Sequence, residues 1–186
     1  VQRGIEVIRG AERIGLRTLM DVAGIRPGAV TEQHISYGLA PRLNALGRLS
    51  EATSAIELFT TSDPVRARTI ATEMEALNVE RQLLCSQVTD AAIAVIERNR
   101  DWLADPVLVV DHPNWPGGIV GIVAGRLAQR YNRPVLIISS GDDGKGRGSA
   151  RSVPGVDIRE AIATQSHLLD RFGGHPMAAG LSLSVS

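Results

Sequence analysis

From Ile70 onward, apolar side chains recur three and four positions apart through Met74, Leu77, Leu84, Val88, Ala91 and Val95, with one gap at Arg81. That spacing is the repeat of an α-helix with a single apolar face. Just ahead of it, Ser62-Asp63-Pro64 supplies a cap and a first-turn proline, and nothing breaks the helix before about residue 100. The pattern predicts a helix over 64–100, about 54 Å long at 1.5 Å per residue. A helix of that length suits a strut between domains better than a core element, with coiled-coil pairing as the alternative.

Before the strut the periodicity is less regular. Ile5, Ile8, Ile14 and Leu16 follow a helical pattern interrupted by Gly4, Gly10 and Gly15, and a short apolar helix over 17–23 is closed by Gly24 and Pro27-Gly28. Thr31 suits the N-cap of a short helix ending near Tyr37. In residues 38–49, Pro41 disfavours helix at Ala40, and Arg42, Asn44 and Arg48 mark a shaped polar loop running into a helical turn. Residues 51–60 predict a helix with Ala52, Ala55, Ile56 and Phe59 inward.

Beyond Asp105-Pro106 the pattern changes. Val107-Leu108-Val109-Val110 and residues 134–139 read as buried strands on either side of a helix over 119–131, which implies a parallel, right-handed crossover. Gly117, Gly121 and Gly125 give that helix a smooth ridge for close packing. Residues 141–144 form a turn into an antiparallel strand, 156–171 read as a helix, Gly173-Gly174-His175 as a loop, and 179–183 as a last strand. The expected fold class is α/β. A helical connector over 1–63 and a long connecting helix over 64–104 precede a small mixed-sheet domain over 105–186, whose Gly-rich loops face a common cleft.

Composition narrows the chemistry. Twenty basic residues balance twenty acidic ones, so any affinity for nucleic acid must come from local clustering. Residues 36–50 and 144–156 are such clusters, each with arginines and no acid. The single cysteine, Cys85, excludes an internal disulfide and reads as a half-buried thiol, compatible with a reducing cytoplasm. No apolar run approaches the roughly 18 residues that cross a bilayer, so no membrane partner is expected. The absence of an initial Met and a strand-like end at Ser184-Val185-Ser186 predict an excised piece of a longer chain.

The densest candidate chemistry is Gly144-Lys145-Gly146-Arg147-Gly148-Ser149-Ala150-Arg151-Ser152, followed some twenty residues later by Gly173-Gly174-His175. Glycine lets backbone N–H groups converge on an anion beside fixed cations, which suits phosphate; a soluble β-turn is the competing reading. A Walker loop fails because Gly146 follows Lys145, and a dinucleotide fingerprint fails because Ser149 stands where the third glycine belongs. His34, His112, His167 and His175 lie too far apart for a metal set, so no metal or other cofactor is expected in this chain.

Taken in order, Pro41-Arg42-Leu43-Asn44-Ala45-Leu46-Gly47-Arg48, Trp115 with Gly-Ile-Val-Ala-Gly-Arg at 121–126, Gly148-Ser149-Ala150-Arg151-Ser152 and Phe172-Gly173-Gly174-His175 closely resemble RecJ-type exonucleases of the DHH phosphoesterase family. The resemblance covers essentially the whole chain. It implies a DHH-associated substrate-binding domain from about residue 105, truncated at its C-terminus, and connector helices before it. Catalysis would belong to a DHH domain absent here, where Mn²⁺ or Mg²⁺ activates water, and neither Asp-x-Asp nor Asp-His-His occurs in this chain.

The resemblance further implies single-stranded DNA as partner, degraded 5′→3′ in repair and recombination, with single-strand-binding protein or a helicase as further partners. Ser149, Arg151 and Ser152 would hold phosphates, joined by His175 on Gly173-Gly174. Arg42, Asn44 and Arg48 would line the strand's route, and Trp115 would pack beside a sugar or base or seal the core. An oligonucleotide or cyclic-dinucleotide phosphodiesterase and a non-catalytic nucleic-acid-binding module are the alternatives.

Overall fold

Residues Pro64–Arg98 form one uninterrupted α-helix of 35 residues, and its buried side chains fall into two separate sets. The computed structural model describes residues 2–10, 12–49, 53–141 and 144–184. Its contacts divide the chain into two compact units, Val1–Gln82 and Leu83–Ser186. The long helix contributes one set of side chains to each.

The first unit is helical, with α1 (Gln2–Gly10), α2 (Ile14–Val22), α3 (Ala40–Leu49), α4 (Thr53–Thr60) and the start of α5 (Pro64–Arg98). Leu19, Met20, Val30, Leu58, Ile70 and Met74 are fully buried at its centre. Gly24, at φ +68°, ends α2, and the Ile25 N–H reaches back to the Met20 carbonyl at 2.8 Å. That is the bond pattern of a glycine C-cap. Of the side chains expected inward on α4, Ala52 lies outside the described residues. Ile56 is 67% exposed, while Leu58, two positions on, is fully buried.

Residues 38–49 are helix rather than loop. Thr31 does cap, its Oγ1 accepting from the His34 N–H at 3.4 Å, but the helix continues past Tyr37 through a π-helical turn, His34–Leu39, into α3. The Ala40 N–H bonds to the Ile35 carbonyl five residues back. This wider turn accommodates the Pro41 ring, which in a regular α-helix clashes with the carbonyl four residues earlier.

The strut begins as its sequence predicts, with Asp63 Oδ1 accepting from the Val65 N–H at 2.8 Å. Arg66 grips Glu57 through two bonds of 2.5 and 2.7 Å, and this guanidinium holds the Glu57 carboxyl below its ordinary range. Ala67, Ile70, Ala71 and Met74 enter the first core; Cys85, Val88, Ala92 and Ile96 enter the second. The second set departs from expectation. Spacing by fours from Val88 buries Ala92 and Ile96 where Ala91 and Val95 were expected, and Cys85 is fully buried rather than half-buried. Between the two sets Asn78 is 1% exposed and accepts from Arg81 Nη2 at 2.7 Å, so a polar pair fills the gap in the stripe.

The second unit is built on a five-stranded sheet in the order β1 (Leu108–His112), β2 (Val135–Ser140), β3 (Lys145–Arg151), β5 (Ala178–Ser184), β4 (Arg171–His175). β1 and β2 are parallel, joined by α6 (Gly117–Tyr131); the remaining pairs are antiparallel. Val110, Trp115, Ile119, Val123, Leu127, Val135 and Ile137 form the core under α6. α7 (Ile158–Ala163) packs with Ala150, Ala179, Leu136 and Leu181, the side chains of the opposite face.

The expected helix over 156–171 is shorter than its apolar spacing suggested. Only six residues are α-helical, a 3₁₀ turn follows at Ser166–Leu168, and Leu168 is 63% exposed. Gly173-Gly174-His175 belongs to an edge strand rather than a loop, paired along its length with β5 through a tight hairpin at Pro176-Met177. The expected cleft between glycine loops is therefore replaced by a sheet face.

Candidate nucleic-acid interface

Side chains directly opposite each other in paired strands share a face of the sheet. Val135, Arg151, Ala178 and His175 form one row across β2, β3, β5 and β4. Ile137, Ser149, Gly180 and Gly173 form the next. Helix α6 lies on this face over β2 and β3, leaving β5 and β4 uncovered, so Gly173, His175 and Gly180 are exposed. The register thus brings Ser149, Arg151, Gly173 and His175 together at the border between an apolar core and an open surface.

The glycine ridge of α6 seats the arginine. A Cβ on Gly121 would lie 2.8 Å from both Arg151 Nη2 and Ser149 Oγ, and one on Gly125 would lie 3.9 Å from Arg151 Cγ. The Arg151 guanidinium therefore rests on bare helix backbone. Its Nη1 donates to Ser149 Oγ at 3.1 Å and to the Ala150 carbonyl at 2.8 Å, fixing the head over the second row. Arg151 also lines a cleft of about 490 Å³ with Gly125, Gln129, Asn132, Ser152 and Met177. The strands β3, β4 and β5 carry Lys145, Arg147, Arg151, Arg171 and His175 and no acid, so the local field favours an anion although the chain is neutral.

Gly121→Ala should leave stability nearly unchanged. The methyl meets only side-chain ends, and alanine gains about 1 kcal/mol of helix propensity over glycine. The guanidinium should nevertheless be pushed off Ser149, visible as a shifted Arg151 Nε–Hε resonance. An unmoved resonance would show that the ridge does not position it.

Other residues expected at the site have structural roles. Trp115 is 5% exposed, within the core and stacked on His112 with ring centroids 5.0 Å apart, and its carbonyl accepts from Ser139 Oγ at 2.6 Å. Of the two roles open to it, packing is the one its geometry supports. Ser152 is buried, its hydroxyl donating to the Val156 carbonyl at 2.7 Å and its N–H to the Met177 carbonyl at 3.0 Å. It ties the end of β3 to the β4–β5 turn.

In the first unit, Arg42 is half-buried and ion-paired to Glu75, and it donates to the Gly38 carbonyl at 2.6 Å. It braces the π-helical turn. Asn44 and Arg48, one helical turn apart on α3, are exposed.

Among the described residues no three His, Cys, Asp or Glu side chains gather as a metal set, so they do not fit a divalent cation, and no helix is long and apolar enough to cross a membrane. Sequence reasoning missed Gly180, which faces Gly173 across the hairpin. A glycine inside an apolar strand such as Ala178–Ser184 is a signal of close backbone approach.

The profile of the DHHA1 domain matches residues 104–186, the stretch that holds the whole sheet. Residues 104–186 are a DHHA1 domain. Beyond it, the chain is 39% identical over 183 residues to the single-stranded-DNA-specific exonuclease RecJ of Bacillus subtilis strain 168, an alignment covering 98% of this chain and 23% of that protein. The crystal structure of RecJ from Thermus thermophilus in complex with Mg²⁺ superposes with a TM-score of 0.82 at 30% identity, covering 99% of this chain and 28% of the other. Its Mn²⁺ complex gives 0.80 at 30% identity, covering 97% and 26%. The chain thus spans about a quarter of the length of these relatives, and the similarity runs through the helices of the first unit as well as residues 104–186.

Proposed function

We propose that this chain is the DNA-gripping portion of a RecJ-type exonuclease, which degrades single-stranded DNA 5′→3′ in repair and recombination. The observation that carries this reading is the grouping of Ser149, Arg151 and His175, from two neighbouring rows, on a sheet face whose strands β3, β4 and β5 carry no acid. Charged and hydroxyl groups of this kind contact phosphate oxygens, which gives affinity without choice of sequence. The burial of Trp115 fits the same picture, since it withdraws the indole from stacking on bases. Asn44 and Arg48 are the side chains of α3 exposed for contact with the nucleic acid, while Arg42 acts by holding α3 in place.

Cutting the phosphodiester falls to residues outside this chain. In that reading a DHH domain binds Mn²⁺ or Mg²⁺, a single-strand-binding protein or helicase supplies the substrate, and the whole works in the cytoplasm.

The test uses the full-length protein and a 5′-labelled single strand against a blunt duplex, without divalent metal to prevent cleavage, over a salt series. If three to five phosphates are gripped, log K for the single strand should fall against log salt with a slope of about −2 to −3.5, and Arg151→Ala should flatten it by nearly one unit. With metal restored, degradation should start from the 5′ end. Unchanged binding by Arg151→Ala, or turnover of a dinucleotide but not of a long strand, would overturn the proposal, the second outcome in favour of a dinucleotide phosphodiesterase.

A further inference from the structure

A third row crosses the same face. Arg147 on β3 is opposite Ser182 on β5, and Ser182 is opposite Arg171 on β4. Both arginines are exposed, and neither has a hydrogen-bond or ion-pair partner among the described residues. The acid next to Arg171, Asp170, is taken by the Ser184 hydroxyl, 3.3 Å from each carboxylate oxygen.

Between the cations the surface is bare, and packing does not explain why. On the opposite face Gly148 is forced, since its Cβ would lie 2.8 Å from Leu181 Cδ1. Gly173 and Gly180 are not. Nothing lies within 4 Å of a Cβ on Gly173, the nearest atom to one on Gly180 is the Gly148 carbonyl oxygen at 3.7 Å, and neither residue has positive φ. Glycine weakens a strand interior, so an unforced pair directly opposite each other is a cost to the fold. The pair keeps side-chain bulk away from whatever lies on this surface.

We propose that Gly180 and Gly173 are the floor of a phosphodiester subsite and that Arg147 and Arg171 are a second set of phosphate ligands. The inference rests on the reading of this face as a single-strand grip. The floor is bounded by the Arg151 guanidinium over Ser149, by His175 at one end and by the Arg147–Arg171 row at the other. These two ends are four residues apart along the strands, about 13 Å at 3.3–3.4 Å per residue. A strand lying on the floor meets cations at both ends, and the β4 edge is its open side.

Three variants of the full-length protein test this by anisotropy with a labelled single strand in EDTA. Gly180→Val, whose side chain rises from the floor into open space, should melt at or above the wild-type temperature yet bind at least 10-fold more weakly. The double substitution Arg147→Ala/Arg171→Ala removes two phosphate ligands and should flatten the salt slope by about 1.4 units, in addition to the change caused by Arg151→Ala. If both variants bind as wild type does while Arg151→Ala is impaired, the floor and second row are refuted and the grip at Arg151 stands. If Arg151→Ala also binds normally, both readings fall. Should Gly180→Val fold poorly, the arginine pair decides alone.

Discussion

Gly15→Ala is expected to destabilise the helical unit more than any other single-methyl change on α2. A Cβ there would lie 1.7 Å from the Leu58 carbonyl oxygen and 2.7 Å from its carbon. Both are backbone atoms of α4, and Leu58 itself is fully buried. No rotamer change relieves such a contact, so the two helices must separate and open the core between them. The cost should be about 3 kcal/mol or more, at the upper end of overpacking penalties. Denaturant titration of the full-length protein measures it, with Gly4→Ala as the control. Gly4 has nothing within 4 Å of an added methyl and sits within α1, so alanine there should add up to about 1 kcal/mol of stability through helix propensity. Equal effects at the two positions would mean that the α2–α4 crossing is looser than it stands here.

The second large effect is expected at Gly174. Its φ of +145° is one that residues with side chains rarely adopt, and a Cβ would fall 2.4 Å from the Ala178 carbonyl oxygen and 2.5 Å from Ala179 Cα. Strain and overlap together should cost about 2–4 kcal/mol in Gly174→Ala. The loss should concentrate in the β4–β5 hairpin, so hydrogen exchange should accelerate at the amides that pair β4 with β5 before those of β1 and β2. Gly173→Ala, one residue away, should fold normally because its methyl enters open space. The adjacent glycines are therefore separable by experiment, one required by the backbone and the other by what lies on the sheet. Similar stability of the two variants would contradict this division.

Much of the fold could be read where local chemistry and packing agree. Ser62-Asp63-Pro64 starts α5 because an Asp cap and a first-turn proline act within a few residues of chain. The β1–α6–β2 crossover was legible because its strands open on apolar runs, although only one face of β1 is buried, with Leu108 and Val110 inward and Val109 46% exposed. Reading failed where distant partners decide. Pro41 argues against helix locally, yet the Ala40-to-Ile35 bond and the Arg42 pairing with Glu75, 33 residues away, hold the segment helical. Arg171–His175 carries no alternation of apolar and polar residues, because every one of its residues is exposed; it is a strand only through its ladder to β5.

The site shows the same division. Ser149, Arg151 and His175 stood out by residue type and motif order, but their common face depends on the antiparallel register of β3, β5 and β4, which no single segment encodes. Trp115 and Arg42 stood out as well, and both turn out to spend their side chains on packing and bracing. A residue's chemistry suggested a ligand in each case; burial and pairing decided whether it was available.

The position of β4 at the border of the sheet has a consequence for solubility. An outermost strand has unpaired amides and carbonyls on one side and invites addition of a strand from another molecule. Here Arg171 and His175 flank Phe172 and a pair of glycines, a segment with a single β-forming side chain and a charge at its start. The features suited to holding a polyanion also make this border a poor template for self-association. Substituting Gly173 with a β-branched residue would therefore trade one hazard for another, strengthening the hairpin while exposing an edge to which a second copy of the protein can zip.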